Sequence, residues 1–426
     1  MSSRALSWES DSNVLWQAAG LLLRPLHLGL AYPSILYVGA MTVFLFRPPD
    51  LFSYYADRVA FGLLVFFVLL RALAMREKVP FVAALSLPML GLMGMAMVRA
   101  LREPYDAQIW SIIASKYIVP FALFHLSVMI FRTEAERKHF AVFVTLALFY
   151  LVFVSIAFLV GARSLIFPRF ILDASLGFHA DRARGPFLQA VANGVSLNIL
   201  GILAVALSPG RRIIVRILWF ALPLAVLATL TRAVWIAFIV SAIVIGLRVV
   251  ERRVQVICTL LAIAGLLAGL AIGLSDHSLK SALWDRTGER GPVEARLAVY
   301  DAGWEMFKER PLTGWAAGGM YNELARRMDG YHLHTFYVHN TYLALLVEFG
   351  VPGLLLYTVL FFNLFRLSCR GAGGEDGSVA SVRKVWPILL SVFLFNAFFV
   401  DMAYQVVIGL VFTIAGMLCA PAETSA

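Results

Sequence analysis

The feature that most constrains this chain is its succession of apolar stretches, each about as long as a bilayer is thick. A helix needs about 20 apolar residues to cross the hydrocarbon. The sequence offers twelve candidate spans: 28–46, 59–75, 80–98, 109–131, 139–161, 187–207, 213–230, 233–248, 254–274, 338–365, 385–400 and 403–420. Backbone polar groups in lipid must be satisfied inside a helix or a closed barrel. The pattern therefore predicts an all-α polytopic membrane protein with about 12 transmembrane helices. Composition agrees, with 61% hydrophobic and 15% charged residues and a mean hydropathy of +0.81. A soluble domain is roughly half apolar and a quarter charged.

Orientation follows from the short loops. Five alternate loops carry Arg76/Lys78, Arg132/Arg137/Lys138, Arg211/Arg212, Arg248/Arg252/Arg253 and Arg370/Arg383/Lys384, which assigns them to the cytoplasm under the positive-inside rule. Residues 1–27 are then a cytoplasmic N-terminus, and 28–274 carry spans 1–9. Residues 275–337 form a large outer loop between spans 9 and 10, expected in the periplasm of a bacterial inner membrane. Residues 338–420 carry spans 10–12, and 421–426 are a cytoplasmic tail. The net charge of +10 lies in short inter-span loops rather than in one patch, which argues against nucleic acid. Cys258, Cys369 and Cys419 have no ligand or disulfide spacing. No n-region and h-region precede the first span, which is expected to serve as its own insertion signal. The last pair of spans and the pair flanking Arg232 are joined by turns short enough for re-entrant hairpins. No internal repeat is visible, unlike many transporters.

Within the outer loop, Val293 to Glu309 reads as a helix, with Leu297, Tyr300, Trp304 and Phe307 at helical spacing. Pro311 should stop it, a glycine-rich turn runs to Gly319, and a second short helix is expected over Tyr321–Arg327.

Four arginines escape the orientation rule, because the topology puts them outside: Arg182, Arg184, Arg232 and Arg296. A guanidinium is a permanently charged planar fork that matches phosphate oxygens. Several converging forks suggest a lipid diphosphate ligand; the alternative is that each pairs with a carboxylate or snorkels to headgroups. Arg232, beside Thr231 in otherwise apolar sequence, is the most telling, since charge there is costly. His332, His334 and His339 cluster at the loop's end, but no Asp, Glu or Cys set is spaced around them for a metal. His339 and Asn340 stand at the first turn of span 10. There the histidine could take a proton from a hydroxyl, or the two could simply cap the helix. Glu348 lies about 13 Å further along that helix, too deep to share a reacting atom with His339, and is read as a structural partner for a buried arginine. Asp401, before the last span, could reach the site or cap.

These residues together resemble the O-antigen ligase and polymerase family. The resemblance rests on Arg296, Tyr300 and Trp304; on Pro311-Leu312-Thr313-Gly314-Trp315-Ala316-Ala317-Gly318; on His339-Asn340-Thr341-Tyr342-Leu343; and on Glu348-Phe349-Gly350-Val351-Pro352-Gly353. Thr231-Arg232-Ala233 with Trp235, and Arg184-Gly185-Pro186-Phe187 with Asn193 at shortened spacing, look like two further family segments. The resemblance covers about half the chain, from Arg182 to Gly353. It implies a membrane glycosyltransferase that moves a glycan from undecaprenyl diphosphate to an acceptor hydroxyl, with inversion and without metal or other cofactor. In that scheme Arg184, Arg232 and Arg296, with Arg182 and Asn340 nearby, hold the diphosphate. His339 activates the acceptor or orients the phosphate. The expected reaction is O-antigen ligation to the lipid A-core. A polymerase of O-antigen or exopolysaccharide, a protein O-glycosylating ligase, and a transporter are the other readings the sequence leaves open.

Overall fold

The computed structural model describes residues 29–47, 55–177, 179–207, 212–248, 291–328, 337–369 and 377–421. Span 254–274, His332 and His334 lie outside these. No strand occurs among the described residues. The helices, in chain order, are α1 (Pro33–Leu45), α2 (Ala56–Met75), α3 (Ala83–Ala100), α4 (Ala107–Ile113), the π-turn Ala114–Ile118, α5 (Val119–Ile130), α6 (Glu134–Leu159), α7 (Ala190–Leu207), α8 (Arg212–Leu227), α9 (Arg232–Arg248), α10 (Gly291–Glu309), α11 (Ala317–Arg327), α12 (Thr341–Arg366), α13 (Gly377–Ala397) and α14 (Gln405–Cys419).

Among the described residues, seven helices, counting α4 through α5 as one, are long and apolar enough to cross a bilayer. They correspond to seven of the twelve expected spans. Four shorter apolar helices, α1, α8, α9 and α14, fall on four more. The exposed side chains fit a lipid solvent. Val59, Leu63, Phe66, Leu69 and Leu73 form an apolar face of α2 that no other element covers, costly in water but not in hydrocarbon. By contrast every residue of α14 from Val406 to Leu418 is buried, the mark of a helix enclosed on all sides. Polar side chains tie it to its neighbours: the Tyr37 hydroxyl of α1 sits 2.6 Å from Thr413 Oγ1, and Ser127 Oγ of α5 donates to the Thr413 carbonyl at 2.6 Å. Such interhelical hydrogen bonds hold membrane helices together where lipid tails compete equally for apolar contact.

Helix starts are set by local chemistry. Thr133 and Glu136 close a capping box on α6, and Asp106 caps α4 through the Gln108 and Ile109 amides. α10 and α11 match the two helices expected in the outer loop. They pack on the first half of α12 through Val299, Met306, Met320, Leu324, Val338 and Val347.

The glycine-rich turn between α10 and α11 explains the Glu348–Gly353 motif. α12 breaks at Gly350 (φ 70°, ψ −164°), and the Pro311–Trp315 segment docks into the break. The Val351 amide donates to the Pro311 carbonyl at 2.8 Å, and the Trp315 amide to the Val347 carbonyl at 2.7 Å. Gly314 has φ 65°, and a Cβ there would lie 2.5 Å from the Glu348 carbonyl oxygen. Each glycine thus permits a backbone approach that any side chain would block.

Candidate active site

His339 stands immediately before Asn340, the N-cap of α12, with φ 51°. A left-handed backbone is uncommon for a residue with a side chain, and such strain tends to persist where the surroundings enforce it. Here they do. Asn340 caps α12, its Oδ1 accepting from the Tyr342 and Leu343 amides at 2.9 and 3.1 Å. Thr341 Oγ1 donates to the Val400 carbonyl and accepts from the Met402 amide, both at 2.9 Å. The Tyr300 hydroxyl of α10 lies 3.2 Å from the His339 carbonyl oxygen and 3.3 Å from that of Phe398. The 398–404 turn, α10 and the start of α12 therefore hold the histidine between them.

Arg296, one turn before Tyr300, is exposed and makes no hydrogen bond or ion pair among the described residues. Its charge acts on the His339 ring. Burial holds the imidazole below its ordinary pKa, Arg296 pushes it the same way, and Asp401 opposes both. All but the last of these favour the neutral imidazole, the form that can accept a proton.

Arg182, Arg184 and Arg232 form a second group. Arg184 is 1% exposed. Its Nε donates to the Ile171 carbonyl at 2.9 Å, and its two Nη groups donate to the Leu176 and Asp173 carbonyls. The fork expected to face a diphosphate is thus committed to folding the 161–189 loop. Asn193 holds the same loop from α7, donating to the Ala183 carbonyl at 2.8 Å and to Ser155 Oγ at 3.0 Å. Arg182 is also buried, with Nε 3.6 Å from Asp181 Oδ2.

The Ala183 amide donates to the Ala228 carbonyl at 3.0 Å, fastening this loop to the turn that precedes Arg232. That turn is closed by Thr231 Oγ1 on the Thr229 carbonyl (2.9 Å) and by Trp235 Nε1 on the Val226 carbonyl (3.0 Å). Arg232 itself is exposed at the start of α9, with no hydrogen bond or ion pair among the described residues. Thr231 and Trp235 do the structural work of the motif and leave the guanidinium unspent. The 161–189 loop also approaches the 398–404 turn, where the Gln189 side chain acts on the Tyr404 hydroxyl. No hydrogen bond or ion pair among the described residues joins Arg232 directly to His339.

Glu348 is buried as expected, but its side-chain partner is a lysine. Lys116 Nζ lies 3.8 Å from Glu348 Oε2 and 2.8 Å from Asp401 Oδ2. An arginine does reach Glu348, since Arg99 donates to its backbone carbonyl. Sequence reasoning missed Lys116, although it is the one charged residue within the span 109–131, a position where charge needs a reason. Lys116, Thr341 and Asp401 line a small crevice whose other walls include Leu92, Leu360, Phe361, Phe393 and Phe412. Among the described residues, no group of three His, Cys, Asp or Glu could hold a metal ion.

No curated protein matches the chain. Residues 217–358, about a third of the chain and reaching from before the Arg232 turn to past the break in α12, match the family model of the O-antigen ligases, so the resemblance drawn from the motifs holds over that stretch.

Proposed function

We propose that this protein is an O-antigen ligase, transferring a glycan from undecaprenyl diphosphate to a hydroxyl of the lipid A-core at the periplasmic face of the inner membrane. The observation that carries the reading is His339, held on a left-handed backbone at the start of α12 and within the field of the exposed Arg296, in a stretch that matches the O-antigen ligase family model.

In this mechanism the acceptor oxygen attacks the anomeric carbon from the face opposite the diphosphate. His339 takes the hydroxyl proton as the new C–O bond forms. The bond to the diphosphate oxygen breaks, and that oxygen leaves with the electron pair. One displacement inverts the anomeric centre. Arg232 and Arg296 grip the diphosphate, and their charge stabilises it most as it departs. The reaction then needs no metal, because the forks neutralise the leaving group. Arg184 serves through the loop it folds, Arg182 adds positive charge at that loop, and Asn340 fixes the His339 turn.

The test uses purified full-length protein in lipid, a polyprenyl-diphosphate glycan donor and excess chelator. Wild-type protein should transfer. Arg232→Lys keeps one charge but loses the fork, and should lose most transfer while accumulating normally. His339→Ala should lose transfer by about 10²–10⁴-fold yet still bind labelled donor. A requirement for added divalent ion, full activity of Arg232→Lys, or normal transfer by His339→Ala would refute this chemistry.

A further inference from the structure

Lys116 has no part in the steps above. It stands on the π-turn Ala114–Ile118, where an inserted residue re-aims the side chains between α4 and α5. Such bulges recur at functional sites. The Lys116 side chain is 9% exposed and meets two carboxylates from different elements, Glu348 of α12 and Asp401 of the 398–404 turn. The knot holds one ammonium and two carboxylates. The second oxygens, Glu348 Oε1 and Asp401 Oδ1, are buried with no hydrogen-bond partner among the described residues. A purely structural ion pair gains nothing from a second buried carboxylate, because each buried charge carries a desolvation penalty that pairing barely offsets.

The knot is connected to the reacting group. Asp401 sits between Val400 and Met402, both pegged to Thr341, two residues from His339. Its charge reaches the His339 ring, against that of Arg296. The other titratable and charged groups facing the knot are Arg99 from α3, Tyr117 beside Lys116, Tyr321 from α11, Tyr357 from α12 and Tyr404 of the 398–404 turn; Tyr300 from α10 faces the His339 turn.

We propose that Lys116 is a positioning residue for the transfer reaction: its ammonium holds the Asp401 carboxylate at the His339 turn, and Asp401 in turn sets how strongly the histidine takes up the hydroxyl proton. This rests on the reading of His339 as proton acceptor. When the proton arrives, the imidazolium faces Arg296, which disfavours it. Asp401 supplies the compensating negative charge, and the Lys116 ammonium, 2.8 Å away, holds that carboxylate in place.

The test measures transfer by full-length protein in lipid from about pH 5 to pH 9, per folded protein, with a polyprenyl-diphosphate glycan as donor. The acid limb of the profile reports protonation of His339. Lys116→Met leaves Asp401 unbalanced, so the limb should move to higher pH by about one unit. Asp401→Asn should move it to lower pH by a similar amount and lower kcat, with the donor KM kept. A structural ion pair would not displace the limb in opposite directions. Should Lys116→Met fail to accumulate, the Lys116→Met/Asp401→Asn double variant, which orphans one carboxylate fewer, replaces it. Its limb should coincide with that of Asp401→Asn alone, because Lys116 acts through that carboxylate, and a limb displaced from it would overturn that route. Folded variants with the wild-type limb, or both limbs displaced the same way, would overturn the role of Lys116. His339→Ala separates the two readings. Normal transfer by that variant removes the proton acceptor itself, whereas its loss alongside unmoved limbs removes only the role of Lys116.

Discussion

Replacing Gly350 by alanine should damage both the stability of the protein and its activity, and the structure gives the size of the effect. At φ 70° and ψ −164° the residue occupies a region that essentially only glycine adopts, and an alanine there costs about 1–3 kcal/mol. The added Cβ would also lie 2.8 Å from the Leu312 carbonyl carbon and against the Pro311 carbonyl oxygen. Relief requires the Pro311–Trp315 segment to withdraw. That breaks the bonds from the Val351 amide to Pro311 and from the Trp315 amide to Val347, each worth about 0.5–1.5 kcal/mol net. The sum is about 2–6 kcal/mol, a large part of a typical folding free energy of about 5–15 kcal/mol. The withdrawn segment is also what anchors the end of α10, the helix that carries Arg296, so transfer per folded molecule should fall too. Thermal unfolding in detergent, proteolysis of the outer loop and transfer in lipid read the three effects. Gly62→Ala is the control, because a Cβ there meets nothing within 4 Å and inside α2 should leave the protein as stable or up to about 1 kcal/mol more stable. A Gly350→Ala protein with the wild-type unfolding midpoint and full transfer would refute the account of the break.

Arg184→Met should reduce folded protein in the membrane several-fold, since it strips three carbonyls of a shared donor; normal abundance with lost transfer would return Arg184 to the diphosphate. Glu348→Gln should lower abundance and thermal stability more than specific activity, because it weakens the contacts by which α12 holds Lys116 and Tyr117; the reverse pattern, in immunoblot and transfer assays, would place Glu348 at the reacting centre. A phosphatase fused near Gly330 should be active and one near Gly374 inactive if the charge count orients the chain correctly; the opposite result would move the site to the cytoplasm.

The sequence by itself determined the all-helical membrane class, most helix positions and the short list of unusual polar residues. Apolar length is a local property, and an arginine or histidine at a lipid boundary is conspicuous wherever the chain goes next. His339, Arg296 and Arg232 were legible for that reason. Tertiary structure decided how those residues are used. Arg184 and Arg232 look alike in sequence, yet one guanidinium is buried against three carbonyls of its own loop and the other is exposed. Asn340 looks like a ligand, and its oxygen caps a helix. The glycines after Glu348 look like flexibility, and they are the socket for a turn some 37 residues earlier in the chain. Lys116 looks like a stray charge, and it joins carboxylates 232 and 285 residues away. Each of these is a contact between segments distant in the chain, where hydrogen-bond partners and charge neighbours are set by how the helices pack, and no local pattern of residues encodes that.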